Sequence, residues 1–208
     1  MEPGSVIYVS FGSLARTPLF QLVEIGLGLE ASNCPFVWVI KAGDQADEVD
    51  KWLASGDGDD RGFEERIRAK GLVIRGWAPQ SMILEHPAVG GFMTHCGWNS
   101  TIEAVVAGVP MATWPHFAEQ FVNEKLVVEK LRIGVVVGAK RSVGWREVQD
   151  KLTVGRGEVE KAVRCLMNRG EGQANGLRHR VKAMREKARR AMQPGGSSYY
   201  NLTDLLGI

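Results

Sequence analysis

The stretch Val89-Gly-Gly-Phe-Met-Thr-His-Cys-Gly-Trp-Asn-Ser100 combines a strand, a loop and the start of a helix. Residues 89–94 form an apolar run of the length typical of a buried strand, and helical spacing begins near Trp98. Gly97 lies between them, where the absence of a side chain lets the backbone approach a ligand. The stretch therefore predicts a βα unit whose connecting loop lies at the carboxyl edge of a sheet.

Strands and helices alternate on both sides of this unit. We predict strands at residues 6–11, 36–40, 72–75, 89–94, 110–113 and 133–137. We predict helices at residues 18–31, 63–69, 81–85, 98–107 and 119–130, an acidic loop at 42–60, a basic helical stretch at 156–192 and a final helix at 198–206. Alternation at this spacing predicts the α/β class, with a Rossmann-like parallel sheet and helices on both faces.

Size, charge and cysteine content narrow the class of protein. The chain has 208 residues, of which 44% are hydrophobic, so we expect one domain, residues 1–208. Lys and Arg total 26 against 24 Asp and Glu, and the net charge of +2 predicts no nucleic-acid partner. Three widely spaced cysteines match neither a disulfide framework nor a metal motif, which favours a cytoplasmic protein. No apolar run approaches the ~20 residues needed to span a bilayer, so we expect no membrane insertion.

Two glycine-bearing stretches are misleading. Residues 26–31, Gly-Leu-Gly-Leu-Glu-Ala, match the GxGxxA fingerprint of dinucleotide-binding proteins. In that fingerprint the glycines form the turn between strand and helix, whereas these lie inside the predicted helix at 18–31. The turn after the first strand, Phe11-Gly-Ser-Leu14, lacks the fingerprint too, so a nicotinamide-dependent oxidoreductase is disfavoured. Residues 57–60 lack the spacing of a calcium loop and are interpreted as a solvated loop.

The loop at residues 95–97 and the helix that follows it predict an anion site. The first N–H groups of a helix have no intrahelical partner, and the helix dipole favours negative charge there. His95, Asn99 and Ser100 can add hydrogen-bond donors, so the site suits a diphosphate. Glu103 lies about one turn further along the helix, and its carboxylate suits a diol such as that of ribose.

Two flanking segments extend this site. Trp77 follows the strand at 72–75 and offers a face on which a planar base can stack, while the Ala78 backbone can bind the base edge. Glu119 and Gln120 follow the strand at 110–113 and can hydrogen-bond the hydroxyls of a sugar. Together the segments predict subsites for a base, a ribose, a diphosphate and a sugar at one sheet edge.

Between Trp77 and Gln120 the sequence resembles the family 1 UDP-glycosyltransferases of plants. Trp77-Ala-Pro-Gln80, His95-Cys-Gly-Trp-Asn-Ser100 and Glu119-Gln120 are similar to the signature box of the family's secondary-metabolism enzymes. The opening strand Val6-Ile-Tyr-Val-Ser-Phe-Gly-Ser13 resembles the family as well. The resemblance implies a glycosyltransferase of the GT-B fold, represented here by its C-terminal, donor-binding domain.

The resemblance also implies a role for each residue of the site. Trp77 would stack on uracil, and the Ala78 backbone would bind the uracil edge. Gln80 and Glu103 would hold the ribose. The diphosphate would be surrounded by Ser13, His95, Gly97, Trp98, Asn99 and Ser100.

The sugar end and the catalytic chemistry follow from the same resemblance. Glu119, in place of the commoner Asp, and Gln120 would hold the sugar, and a Gln at the last position is typical of glucose donors. UDP-glucose is therefore the expected donor, with no metal or other cofactor. The family's general base, a His oriented by an Asp, belongs to an N-terminal acceptor domain that is absent here, so we expect no catalytic residue in this chain. The full-length enzyme would transfer glucose with inversion to a small lipophilic acceptor such as a flavonoid, phenolic or terpenoid.

The first residues, Met1-Glu-Pro-Gly4, resemble an interior segment of a full-length enzyme. An excised domain, a truncated gene product and a stand-alone module are all consistent with this. The alternative function is a nucleotide-sugar-binding protein without turnover by itself. A domain that docks on a missing partner should also expose an apolar face.

Other conspicuous side chains have structural interpretations. His86 is predicted to end a helix rather than to bind a metal. Core packing is expected for Trp38, Trp52, Trp114 and Trp145. A solvated face is expected for Arg178, Arg180, Arg185, Arg189 and Arg190.

Overall fold

The computed structural model describes residues 1–13, 17–55, 61–139, 154–168, 170 and 173–207. Six strands of this part of the chain form one sheet in the order β3-β2-β1-β4-β5-β6, and every neighbouring pair is parallel. The strands are β1 Val6–Ser10, β2 Phe36–Ile40, β3 Gly71–Arg75, β4 Val89–Thr94, β5 Met111–Thr113 and β6 Gly134–Val136. The strand order reverses between β1 and β4, which is where open α/β sheets bind ligands.

The helices of the described residues connect and cover these strands. They are α1 Leu19–Ser32, α2 Ala46–Ser55, α3 Phe63–Ile67, α4 Gln80–Glu85, α5 Trp98–Ala107, α6 Gln120–Lys125, α7 Arg156–Met167, α8 Gln173–Met192 and α9 Ser197–Leu206. A π-helical turn, Leu126–Lys130, continues α6 directly. The predicted helix at 119–130 is therefore one α-helical and one π-helical segment.

Two apolar cores lie on opposite faces of the sheet. On one face, residues of α1, α2, α3 and α7 pack around Ile7 and Trp38. On the other face, residues of α4, α5 and α8 pack around Tyr8 and Phe92. Because successive side chains of a strand point to opposite faces, a strand covered on both sides is buried at every position, as β1 is. The predicted α/β class with helices on both faces is confirmed.

The predicted loop at 42–60 is wrong for residues 43–55. Gly43–Gln45 form a 3₁₀ turn, and α2 follows it and buries Val49, Trp52 and Leu53. These three residues have the i, i+3, i+4 spacing of a helix, which the surrounding acidic residues concealed. Acidic residues in the first turn of α2 also favour the helix through its dipole. Residues 56–60, including the stretch 57–60, lie outside the described part of the chain.

The basic stretch at 156–192 is helical as predicted, and it comprises two helices. α7 ends at Met167, where Asn168 has the non-helical ψ of 128°. α8 begins at Gln173 and ends at Met192. The glycines of the intervening sequence are the local signal for this break.

The arginines of α8 are only partly a solvated face. The Arg178 guanidinium donates to the carbonyl oxygens of Leu166 and Asn168 at 2.9 and 2.6 Å. Arg180 Nε donates to the Arg132 carbonyl at 2.6 Å. Arg178 and Arg180 therefore bind the ends of neighbouring elements. Arg189 and Arg190 are exposed as predicted, whereas Arg185 is half-buried.

The misleading glycines and the tryptophans serve packing. Gly26 and Gly28 lie inside α1, and a Cβ atom at Gly28 would be 2.6 Å from Cβ of Val159 on α7. Gly28 thus allows α1 and α7 to pack closely, and Gly26 leaves room for Trp52 of α2 and Phe63 of α3. Core positions are confirmed for Trp38, Trp52 and Trp114, while Trp145 lies outside the described residues.

Candidate functional site

A cleft of 1190 Å³ lies along the carboxyl edge of the sheet. The loops that follow β1, β2, β3, β4 and β5 all contribute to its lining. It is lined by all of the predicted site residues: Ser13, Trp77, Ala78, Gln80, His95, Gly97, Trp98, Asn99, Ser100, Glu103, Glu119 and Gln120. The fold therefore brings the segments predicted to bind base, ribose, diphosphate and sugar to one place.

The N-terminus of α5 opens into this cleft. Gly97 is its N-cap, with φ −58° and ψ 145°, and no side chain caps the helix. The Thr101 N–H donates to the Gly97 carbonyl at 2.9 Å, so the N–H groups before it are those that lack an intrahelical acceptor. The first turn contains no acidic residue. Orphan amides and an uncompensated helix dipole make this end of α5 suitable for an anion.

The imidazole of His95 lies between two glycines. A Cβ atom at Gly12 would be 2.6 Å from His95 Cε1, and one at Gly97 would be 2.5 Å from His95 Nε2. Gly12 also has a φ of +75°, which glycine adopts without strain. Burial lowers the pKa of His95 to about 4, and the negative charge of Glu119 opposes this shift only in part. The ring is therefore neutral at pH 7 and has one N–H donor.

Glu103 is fixed by hydrogen bonds from α4. Its Oε2 accepts from Gln80 Nε2 at 2.6 Å, and its Oε1 accepts from Ser81 Oγ at 2.9 Å. Gln80 Nε2 also donates to Ser100 Oγ at 2.9 Å. A carboxylate has about four acceptor positions, so Glu103 can still accept from two hydroxyl groups. Gln80 and Glu103, which the resemblance implied would both hold the ribose, form one hydrogen-bonded unit.

Trp77 and Ala78 line the cleft on the side that follows β3. Gly76, with φ +89°, turns the chain after β3. The Trp77 side chain that follows is 82% exposed. An aromatic face that is this accessible can be covered by a planar ligand. Trp98, at the start of α5, is also partly accessible, with 49% exposure.

The Gln120 side chain forms hydrogen bonds within the protein that the sequence did not predict. Its Oε1 accepts from the backbone N–H groups of His116 and Phe117 at 2.8 and 3.0 Å. The side-chain oxygen thereby shapes the loop between β5 and α6, and a ligand can use only the Nε2 donor. Glu119 precedes α6 and is exposed at the edge of the cleft.

Sequence reasoning missed several residues of the cleft, among them Lys41, Tyr8 and Ser10. Lys41 directly follows β2, and its Nζ donates to the Ser13 carbonyl at 2.6 Å. Its place at the carboxyl end of a strand is the signal that could have identified it. The pKa of Tyr8 is raised above its ordinary value, mainly by burial. The hydrogen bond with Ser10 opposes this shift, and the charge of Glu103 adds to it. Tyr8 and Ser10 gave no signal, because both are part of a buried strand.

The remaining candidates have no place in the cleft. His86 is the C-cap of α4, and its Nδ1 accepts from the Ala88 N–H at 3.2 Å, which agrees with the predicted helix end. Within the described ranges, no group of three or more His, Cys, Asp and Glu side chains is arranged to hold a metal ion. Likewise, no helix of the described chain has the length and apolar character needed to cross a membrane.

Comparison with known proteins identifies the family. The family model described as UDP-glucoronosyl and UDP-glucosyl transferase matches residues 2–149. The chain belongs to this family. The matched residues include the whole cleft, from the loop after β1 to the start of α6.

Relatives of this chain in the family include plant proteins. UDP-glycosyltransferase 73C6 of Arabidopsis thaliana is 49% identical over 207 residues, which are 99% of this chain and 40% of that protein. UDP-glycosyltransferase 73E1 of Stevia rebaudiana is 49% identical over 205 residues, which are 98% of this chain and 39% of that protein. The chain thus spans about 40% of the length of the curated relatives that it matches.

Solved structures of the family have the same fold. UGT73P12 of Glycyrrhiza uralensis, complexed with glycyrrhetinic acid 3-O-monoglucuronide, is 44% identical, with a TM-score of 0.87 over 99% of this chain and 41% of that one. UGT2 of Phytolacca americana, complexed with UDP-2fluoro-glucose and pterostilbene, is 32% identical, with a TM-score of 0.82 over 99% and 42% of the two chains. The chain therefore corresponds to one part of a GT-B glycosyltransferase.

Proposed function

We propose that this chain is the donor-binding half of a UDP-glycosyltransferase and that its cleft binds UDP-glucose. The observation that carries the proposal is the order of groups along one sheet edge: an open indole, a fixed carboxylate, a helix N-terminus and an amide. These groups match, in turn, a base, a ribose, a diphosphate and a sugar. The structure of a related enzyme with UDP-2fluoro-glucose supports this class of donor.

Each subsite uses one kind of contact. Uracil stacks on the indole of Trp77, with its edge at the Ala78 backbone. The two ribose hydroxyls donate to Glu103, which Gln80 and Ser81 hold in place. The diphosphate lies at the α5 N-terminus, within reach of the N–H groups of residues 98–100 and of Ser13. The hexose lies beside Glu119 and the Gln120 amide.

In the whole enzyme, these contacts stabilise the leaving group. An acceptor hydroxyl loses its proton to a general base, its oxygen bonds to the anomeric carbon, and the bond from that carbon to UDP breaks with inversion. The charge that develops on UDP is stabilised by the α5 amides and by the N–H of the neutral His95. We include no metal ion in the proposal, because these donors supply the compensation. The general base and the acceptor site belong to a part of the enzyme that lies outside this chain.

The exposed apolar surface supports docking on such a partner domain. The described part of α9 has no buried residue, and it exposes Tyr199, Tyr200, Leu202, Leu205 and Leu206. A second cavity, of 590 Å³, has a mainly apolar lining that includes residues of β2, β3 and α4, and none of the predicted site residues lines it. Large accessible apolar surfaces of this kind mark sites of association. We therefore infer that an acceptor-binding domain covers the exposed apolar side chains of α9 in the full-length protein.

Calorimetric titration of the 208-residue chain with UDP, UDP-glucose and UDP-galactose tests the proposal. We expect UDP and UDP-glucose to bind, and UDP-galactose to bind more weakly. A folded chain that binds none of the three contradicts the donor site.

An assay of UDP release tests whether the 208-residue chain acts as a transferase or only binds the donor. Incubation with UDP-glucose and a phenolic acceptor should release no UDP, because the proposed general base is not in this chain. Release of UDP would contradict the division of the site between two domains.

A further inference from the structure

The loop that presents the α5 amides contains a backbone conformation that is unfavourable for its residue. Cys96 has a φ of +65°, and for a residue with a side chain this left-handed conformation costs about 1–2 kcal/mol. The Cys96 side chain is fully buried, and its N–H donates to Thr94 Oγ1 at 3.3 Å. The next residue is Gly97, the N-cap of α5. The direction in which the first amides of α5 point therefore depends on this conformation.

A side chain from another element holds the loop. Asn123 Nδ2, on α6, donates to the Cys96 carbonyl at 2.9 Å. Asn123 is only 7% exposed, so this hydrogen bond is shielded from water. Removal of the donor would leave a buried carbonyl without this partner, which costs about 1–3 kcal/mol. The Cys96 peptide would then be driven to rotate out of its left-handed conformation.

Neither residue of this hydrogen bond lines the cleft. We propose that Asn123 is a positioning residue, which holds the Cys96 peptide so that the α5 amides and His95 bind the diphosphate of the donor. This inference rests on the proposed UDP-sugar function. Because Gln120 begins the same helix and shapes the neighbouring loop, α6 fixes the diphosphate and sugar sides of the cleft together. Trp77, Gln80 and Ser81 lie outside α6 and the loop at 95–97, and Glu103, which Gln80 and Ser81 hold, lies in the second turn of α5. We therefore expect the base and ribose contacts to change less than the diphosphate contacts.

A comparison of UDP with uridine isolates this role, because uridine has the base and the ribose but no phosphate. We expect Asn123→Leu to weaken UDP binding about 10-fold in calorimetric titration, while uridine affinity, measured by displacement, changes less than about twofold. A general loss of structure would weaken both ligands equally. If Asn123→Leu does not fold, Asn123→Ser should give the same change in UDP and uridine affinity, because the serine hydroxyl is too short to reach the Cys96 carbonyl.

Gln21→Leu is the matched control. Gln21 is fully buried and does not line the cleft; its Nε2 donates to the Val154 carbonyl at 2.7 Å, and its Oε1 accepts from the Val154 N–H at 3.4 Å. The control removes the same kind of hydrogen bond, so it should lower stability and leave the ratio of UDP to uridine affinity at the wild-type value. The role of Asn123 is overturned if its variants keep the wild-type ratio of UDP to uridine affinity, or if Gln21→Leu lowers this ratio as well. A wild-type chain that binds no UDP overturns the proposed function itself.

Discussion

The two ends of the cleft are built differently. At one end, which we call the held end, His95, Gly97, Gln80, Ser100 and Glu103 are fixed by hydrogen bonds or by close packing. At the other, the open end, Trp77 is 82% exposed. Groups that are already in place lose little conformational freedom when a ligand binds, so their full interaction contributes to affinity. The open end instead gains its contact area only when a base covers the indole.

Because of this difference, substitutions at the two ends should affect stability and ligand binding differently. Residues of the held end and the residues packed against it support both the fold and the ligand. Trp77 supports the ligand alone.

The largest effect concerns stability at acidic pH, through His116 next to the held end. Its ring packs against Phe11 and Trp114, and burial, followed by the nearby His95, lowers the pKa of His116 from 6.5 to about 4. Between these values the unfolded chain binds a proton that the native chain does not, so stability falls as pH falls from 6.5 to 4. The contribution of His116 to this loss is on the order of 3 kcal/mol.

His116→Phe keeps a ring between Phe11 and Trp114 and removes the titrating group. We expect its free energy of unfolding in urea to fall less than that of the wild type between pH 7 and pH 4. The control is His179→Gln, because His179 is exposed on α8. An equal pH dependence in His116→Phe and wild type would show that His116 is not held neutral by the fold.

The second effect concerns the carboxylate of the held end. Glu103→Ala removes both acceptors of the proposed ribose contact, and a hydrogen bond to a charged group is worth about 1.5–3 kcal/mol. We expect the affinity for UDP and for uridine to fall about 30-fold in calorimetric titration. Glu103→Gln keeps the shape and one acceptor, so it should bind with intermediate affinity. Unchanged uridine binding in Glu103→Ala would place the ribose elsewhere.

The smallest effect is expected at the open end. Trp77→Ala removes the stacking face, and at so exposed a position we expect the low end of base stacking, about 1 kcal/mol, or a fivefold loss of UDP affinity. The thermal midpoint should stay at the wild-type value, because the side chain packs on little else. Trp77→Phe keeps an aromatic face and should recover part of the affinity. A marked fall in the thermal midpoint of Trp77→Ala would contradict the contrast between the two ends.

The residues that line the cleft could be predicted from the sequence more fully than the contacts that hold those residues in place. Residues that follow a strand in a parallel sheet must lie at one edge, so Trp77, His95 and Gln120 could be placed without a structure. Glu103 could be placed as well, because helical periodicity relates it to Ser100.

The supporting contacts could not be predicted, because they join distant residues. The hydrogen bond from Asn123 to Cys96 depends on how α6 packs beside the loop after β4, and the left-handed Cys96 has no sequence signal. Gly12 is explained by the ring of His95 beside it and by its φ of +75°, both of which require the folded structure. The helix at 46–55 was missed for a different reason, since its acidic composition outweighed the helical spacing of three apolar residues.

The central claim is that one cleft binds base, ribose and diphosphate in a row, and a crystal structure of the chain with UDP tests it most directly. We predict uracil stacked on Trp77, the ribose hydroxyls at Glu103 and the diphosphate at the N-terminus of α5. UDP bound in the apolar cavity beside β2 and β3, or with its phosphates away from α5, would contradict the account.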